Sequence, residues 1–241
     1  MTKDEILGQI LDNWTPPPPP IRDVMEGQYV RLEPLSASAH AAALFDAYAA
    51  DTAGRVWRYM SDGPYASLAS YNRWVKSAED ADDTIFYAVK ARDTGQVAGI
   101  LSFLRIQAAS GSIEVGNINF SPALQRTRAA SEAIILTARH AFALGYRRFE
   151  WKCNALNIPS RRAAERYGFS YEGTFRQATV VKGRNRDTAW FAMIDQEFAA
   201  IDAAYAAWLK PENFTSDGQQ IHRLSDLTAP LLVSRDPALT S

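Results

Sequence analysis

The segment Asn157-Ile158-Pro159-Ser160-Arg161-Arg162-Ala163-Ala164-Glu165-Arg166-Tyr167-Gly168-Phe169 constrains this chain more than any other. The residues before it, Arg148 to Ala155, read as a strand. Pro159 suits a first helical turn, where its missing N–H costs nothing, and Gly168 stops the helix. The same passage occurs earlier. Ser112 to Phe120 reads as a strand, Ser121 to Ala133 follows it, and a long amphipathic helix over 129–144 ends at Gly145. Two neighbouring strands therefore each deliver the chain to a helix N-terminus. The first turn of a helix leaves N–H groups without partners, and the dipole adds positive potential there, so such ends attract phosphate.

The remaining pattern fills in a mixed α/β sheet. Strand alternation is predicted over 28–33, closed by Pro34, then 85–90, 96–106, 112–120, 149–155, 175–181 and 188–194. Helical spacing is predicted over 38–50, 67–78, 129–144, 159–167 and 196–209. Asp93-Thr94-Gly95 and Lys182-Gly183-Arg184-Asn185 are turns. Gly116, inside a strand, marks a bulge or a close backbone approach. The spacing supports an arm over 1–27, one folded domain over 28–210 and a tail over 211–241. Residues 3–14 have the makings of one or two helical turns. Pro16 to Pro20 favours a stiff polyproline II segment, which serves as a spacer, as a ligand for a proline-recognising domain, or as an arm docking Trp14 on this domain or on a second subunit.

The loop Gln125 to Ser131 is the first candidate site. Ala129, Ala130 and Ser131 are small enough to let a ligand reach the backbone, Thr127 sits among them, and Arg126 and Arg128 add charge. The bland alternative is an ordinary helix start with solvated arginines. Asn157 and Ser160 are helix caps on the simplest reading. Glu114 lies between Ile113 and Val115, an unusual setting for a carboxylate, and alternation puts it on one strand face with Gly116, Ile118 and Phe120. Asn117 and Asn119 then take the other face unless a bulge intervenes.

Together these segments resemble the acyl-CoA half of the GCN5-related N-acetyltransferases, and within them the RimJ/RimL type. The pattern Gln/Arg-x-x-Gly-x-Gly/Ala reads here as Gln125-x-x-Arg128-x-Ala130, with arginine for the first glycine. The pattern Asn-x-x-Ala-x-x-x-Tyr-x-x-x-Gly-Phe keeps Asn157, Gly168 and Phe169, with Ser160 in the alanine position and Ala164 in the tyrosine position. The resemblance implies a central, mostly antiparallel sheet with one splayed parallel strand pair and helices on both faces. It implies pyrophosphate on residues 126–131, and cofactor contacts from Gln125, Arg161 and Asn157, the last holding the pantetheine arm. It further implies an oxyanion held by a backbone N–H near Asn119 or Phe120. Glu114 is the implied base and Ser160 the implied acid, in place of the absent tyrosine. Trp57, Tyr59, Asn117 and Arg176 would wall the acceptor, a small-molecule or peptide amine, with Lys182 nearby. The donor would be acetyl-CoA, or succinyl-CoA if Arg176 or Lys182 holds its carboxylate. The substituted motif positions also admit a catalytically silent acyl-CoA-binding protein.

A net charge of −1 offers no general affinity for nucleic acid or anionic membrane. No apolar run is long enough to span a bilayer, and the N-terminus makes a poor signal peptide. The single Cys153 rules out an intrachain disulfide and suits a cytoplasmic protein. His40, His140 and His222 lie far apart, and no metal is expected. A homodimer reached through the arm is admissible.

Overall fold

The computed structural model describes residues 7–239. Eight strands form one sheet: β1 (Met25–Glu26), β2 (Val30–Pro34), β3 (Ile85–Ala91), β4 (Val97–Gln107), β5 (Ser112–Phe120), β6 (Arg148–Asn154), β7 (Ser170–Val181) and β8 (Arg184–Ile194). Their spatial order is β1-β2-β3-β4-β5-β6-β8-β7. Every pairing is antiparallel except β5 with β6. That parallel pair is bonded only from Ser112–Arg148 to Glu114–Glu150, although both strands continue. Beyond Glu114 they diverge and open a wedge.

Among the described residues five helices pack on this sheet, α1 (Ala37–Ala49), α2 (Leu68–Glu79), α3 (Arg128–Ala143), α4 (Ile158–Arg166) and α5 (Asp195–Trp208), and the short α6 (Leu224–Thr228) packs on α4 and α5. Strand alternation divides the interior into two cores. Val30, Leu32, Ile85, Tyr87 and Val89 face α3, where Ile134, Ile135 and Ala138 meet them. Phe86, Ala88 and Ile100 face the other way, against Leu44 and Tyr48 of α1 and Tyr71 and Val75 of α2.

Glu132 joins the first core to the start of the domain. Its carboxylate accepts the N–H groups of Gln28, Tyr29 and Val30 at 2.9, 2.6 and 2.9 Å. Gly27 is required beside it, because a Cβ there would stand 2.5 Å from the carboxylate.

Three segments differ from the sequence expectation, and a fourth, the proline arm, takes one of the alternatives stated for it. Residues 3–6 lie outside the described residues, and 7–14 form no helix. β7 begins at Ser170 and β8 at Arg184, so the hairpin turn shortens to Lys182-Gly183, both at positive φ (49° and 71°). That is the geometry that suits a two-residue hairpin. The polyproline stretch lies against the domain. Polyproline II has about three residues per turn, and Pro17 and Pro20 are the buried pair. Tyr146 donates to the Pro18 carbonyl at 3.3 Å and Tyr87 to that of Ile21 at 3.2 Å. Trp14 reaches Arg147, whose guanidinium lies 5.8 Å from its ring. Residues 211–239 also pack on the domain, with Leu224, Thr228 and Asp236 fully buried.

Candidate active site

The wedge between β5 and β6 ends at the N-terminus of α3. Thr127 caps this helix by accepting the Ala130 N–H at 3.1 Å, while its own hydroxyl donates to Leu124. Arg128 and Ala129 occupy the first two helical positions, so their amides have no carbonyl one turn earlier to receive them. The left-handed turn that a glycine would supply falls on Arg126, at φ 64°, and not on Arg128, which is already helical. Asn and Gly tolerate such a φ best; arginine holds it at some cost in strain. Gln125 steadies the loop by donating to the Phe120 carbonyl at 2.8 Å. The Ser131 hydroxyl is spent inside the structure, accepting from Arg166 at 3.1 Å and donating to the Thr127 carbonyl. A cleft of about 570 Å³ opens here, bordered by Arg126, Arg128, Ala129, Arg166 and, from the tail, Phe214 and Gln220. Arg128 is held between the rings of Tyr29 (4.6 Å) and Phe214 (4.4 Å). Arg166 and Phe214 escaped the sequence reading. Arg166 stands within the quoted motif, but only the packing of α4 on α3 brings it to the cleft.

At the second corner, Asn157 caps α4 by accepting the Ser160 N–H at 3.3 Å. The Ser160 hydroxyl oxygen accepts the Trp151 indole N–H at 3.2 Å. Cys153 is buried beside it, and burial pushes its thiol up, against a hydrogen bond from Ser160 that pulls it down. A thiol kept protonated is a poor nucleophile.

Arg161 corrects an expectation. The resemblance implies a cofactor contact for it, yet it is 6% exposed and its guanidinium is committed elsewhere. It pairs with both oxygens of Asp236 at 2.5 Å and donates to the Ala155 carbonyl at 2.7 Å. A buried arginine needs a carboxylate, and the tail supplies one.

Glu114 is 2% exposed. Arg105 approaches one of its oxygens at 2.7 Å and Lys152 the other at 2.9 Å. Lys152 also meets Glu150 at 2.6 Å and lies 3.8 Å from the centre of the Trp190 ring. Glu114 and Glu150 are direct partners in the parallel pair. Two carboxylates so placed repel, and the shared lysine offsets this. Glu150 is held below the usual carboxylate range: burial pushes it up, but Arg148 and Lys152 outweigh that.

Asn117 sits at φ 49°, where the β4–β5 register shifts. The bulge reverses the alternation beyond it, so Ile118 and Phe120 pack on the α3 core and not on the Glu114 face. The bulge is adjacent to Gly116, where a Cβ would lie 2.8 Å from Leu104. The Asn117 amide donates to Ser102 at 2.9 Å. The Asn119 carbonyl accepts from the Tyr48 hydroxyl at 2.7 Å. The Asn119 side chain is 2% exposed, and both its polar atoms lack partners among the described residues.

On the acceptor side, Trp57 is buried in the second core, whereas Tyr59 donates to the Leu156 carbonyl at 3.0 Å and ties its loop to the α4 corner. Arg176 stands apart, with Phe175 and Gln177 in a surface concavity on β7. Lys182 donates to the carbonyls of Trp57, Asp62 and Gly63 at 3.1, 3.2 and 2.8 Å. Its ammonium has only three N–H groups, so it is unsuited to a succinyl carboxylate. No group of His, Cys, Asp and Glu capable of holding a metal occurs among the described residues, and none of the helices among them is long and apolar enough to cross a membrane.

Residues 30–170 match the acetyltransferase (GNAT) domain family. Among solved structures, a GCN5-related N-acetyltransferase from Brucella melitensis is 48% identical, with TM-score 0.89 over 91% of this chain and 100% of that one. A probable GNAT-family acetyltransferase from Chromobacterium violaceum is 42% identical, with TM-score 0.75 over 80% and 96%. RimL, a ribosomal L7/L12 alpha-N-protein acetyltransferase solved in complex with coenzyme A, shares the fold at 22% identity and TM-score 0.60, over 71% and 98%.

Proposed function

Because this chain belongs to the acetyltransferase (GNAT) family and is an acyl-CoA-dependent N-acyltransferase, we propose that it moves an acetyl group from acetyl-CoA to a primary amine by direct attack within a ternary complex. The observation that carries this is the N-terminus of α3, with Arg126 and Arg166 beside it in the cleft. Amides at a helix start and two guanidinium groups suit a diphosphate. The Asn119 amide, buried without partners, supplies polar atoms for the pantetheine arm further in. Asn157 donates from its amide nitrogen, since its oxygen already caps α4.

The neutral amine attacks the thioester carbonyl, and the tetrahedral oxyanion is held by a backbone N–H near Asn119 or Phe120. The C–S bond then breaks, the nitrogen gives up its proton to Glu114 or water, and the thiolate takes a proton from Ser160, which regains one from solvent. The Ser160 oxygen accepts from Trp151, and the step requires its O–H to turn from Cys153 toward the thiolate. Glu114 remains the candidate base, in which case the acceptor approaches between Arg105 and Lys152. The charge ladder around it also gives it a structural duty that a test must separate.

Acetyl is favoured over succinyl because Lys182 is occupied. RimL's name supplies one acceptor class, a protein α-amine. The test is release of free coenzyme A thiol with acetyl-CoA and with succinyl-CoA on one amine panel. The expected result is turnover with acetyl-CoA that Ser160→Ala lowers about 100-fold in kcat, with the affinity for acetyl-CoA retained. An unchanged kcat removes Ser160 from the mechanism.

A further inference from the structure

A cavity of about 350 Å³ lies between α1, α2 and the loop that joins them. Tyr48, Trp57, Tyr65 and Tyr71 form its walls, with Phe45 beside them. Neighbouring rings meet nearly edge to face: Trp57 with Tyr65 at 81°, Tyr48 with Tyr71 at 85° and Tyr48 with Trp57 at 64°. Walls at such angles turn several π faces on one volume. The Tyr71 hydroxyl is fully buried behind this lining, beside the Tyr48 hydroxyl. Asp51 is the one charged side chain lining the cavity, and among the described residues no lysine or arginine does so. It is held in place by the Val56 N–H, which donates to its Oδ2 at 2.8 Å.

The lining is continuous with the reaction centre. Tyr48, a wall of the cavity, donates to the carbonyl of Asn119 on β5. Trp57 shares its backbone carbonyl with Lys182, which pins the loop. The cavity therefore borders β5 through the Tyr48 side chain.

We propose that this cavity holds a second ammonium group of the acceptor, so that the preferred substrates are small diamines, acetylated at the far end. This rests on the reading above that the acceptor is an amine. The electron-rich faces of tryptophan and tyrosine attract a cation, and Asp51 adds a full negative charge. A purely apolar occupant would leave the Asp51 carboxylate unanswered.

Two measurements on the full chain test this. In the first, tryptophan fluorescence follows titration with n-butylammonium at pH 8 and, separately, with 1-butanol as its uncharged counterpart. The cation is expected to bind about tenfold more tightly. That preference should fall below about threefold in Asp51→Asn and in Tyr65→Leu. It should survive in Tyr65→Phe, which keeps the ring, with thermal unfolding showing each variant to be folded. Equal binding of butanol overturns the proposal, as does a preference that persists in both Asp51→Asn and Tyr65→Leu. In the second, thiol release compares 1,4-diaminobutane with butylamine, and kcat/KM is expected to favour the diamine about tenfold. If amines are acetylated without regard to a second charge, or a protein α-amine is preferred, the cavity is not the acceptor's cation site and the transferase reading stands. If butylammonium binds as expected and no amine is acetylated, the cation site stands and the transferase reading falls.

Discussion

At the scale of single residues, burial and pairing decide what each ionisable group can do. Lys152 lies between Glu114 and Glu150, buried with them. Lys152→Met would leave two buried carboxylates without their shared cation, at a cost of about 3 kcal/mol. Arg105 reaches Glu114 from a mostly exposed position, so Arg105→Met should cost under about 1 kcal/mol. Urea unfolding of the two variants distinguishes these values; equal losses would refute the ladder. His140 is a second case. Its ring stacks on Phe103, and its Nε2 is buried without a partner among the described residues. Burial pushes it below the ordinary histidine value of 6.5, with a weaker upward pull from Asp23. The unfolded chain therefore binds the proton first. The stability His140 contributes is complete above about pH 6.5 and is lost as pH falls toward the folded-state value. His140→Phe should flatten stability between pH 7 and 5, as read by thermal unfolding across that range. These two residues also mark how far sequence reaches. Glu114 announced itself by its apolar neighbours, but its partner Lys152 comes from another strand, and only the parallel register brings them together.

At the scale of elements, the corners and the connecting segments behave differently. The two strand-to-helix corners follow from local chemistry: Thr127 and Asn157 cap, Pro159 starts and Gly168 stops. Such signals act within one turn and can be read along the chain. The bulge at Asn117 is signalled by Gly116 beside it, whereas the left-handed Arg126 is not, because arginine does not demand that backbone. The tail is legible only in part. Its apolar residues are scattered, and its main anchor is one buried carboxylate paired with Arg161. Asp236→Ala should destabilise by about 3–5 kcal/mol, since it strands a buried guanidinium. Hydrogen exchange should show residues 224–239 losing protection together. Retained protection would mean that Leu224 and Thr228 hold the tail without the ion pair.

At the scale of the whole molecule, the sheet sets where chemistry can occur. β5 and β6 are parallel and cease to bond beyond Glu114, which opens the wedge. A ligand bound there stabilises the folded chain by mass action. Acetyl-CoA at about one hundred times its Kd should add about 2.7 kcal/mol. Ser160→Ala should keep that shift and Arg126→Glu should reduce it, as measured by thermal unfolding with and without the donor. A shift unaffected by Arg126→Glu would move the diphosphate away from the α3 corner.

What the sequence alone determined was the series of strands and helices apart from β1 and α6, the two strand-to-helix corners and the candidate residues on them. Each of these depends on contacts within a few positions, through periodicity, caps and turn residues. The tertiary structure decided the partners. It gave Arg161 to Asp236, Lys182 to three carbonyls, Arg166 to the cleft, and Glu114 to two cations. Pairing of charged groups across long separations is set by strand register and helix packing, and the physical reason is that a buried charge must find a counter-charge wherever the fold places one.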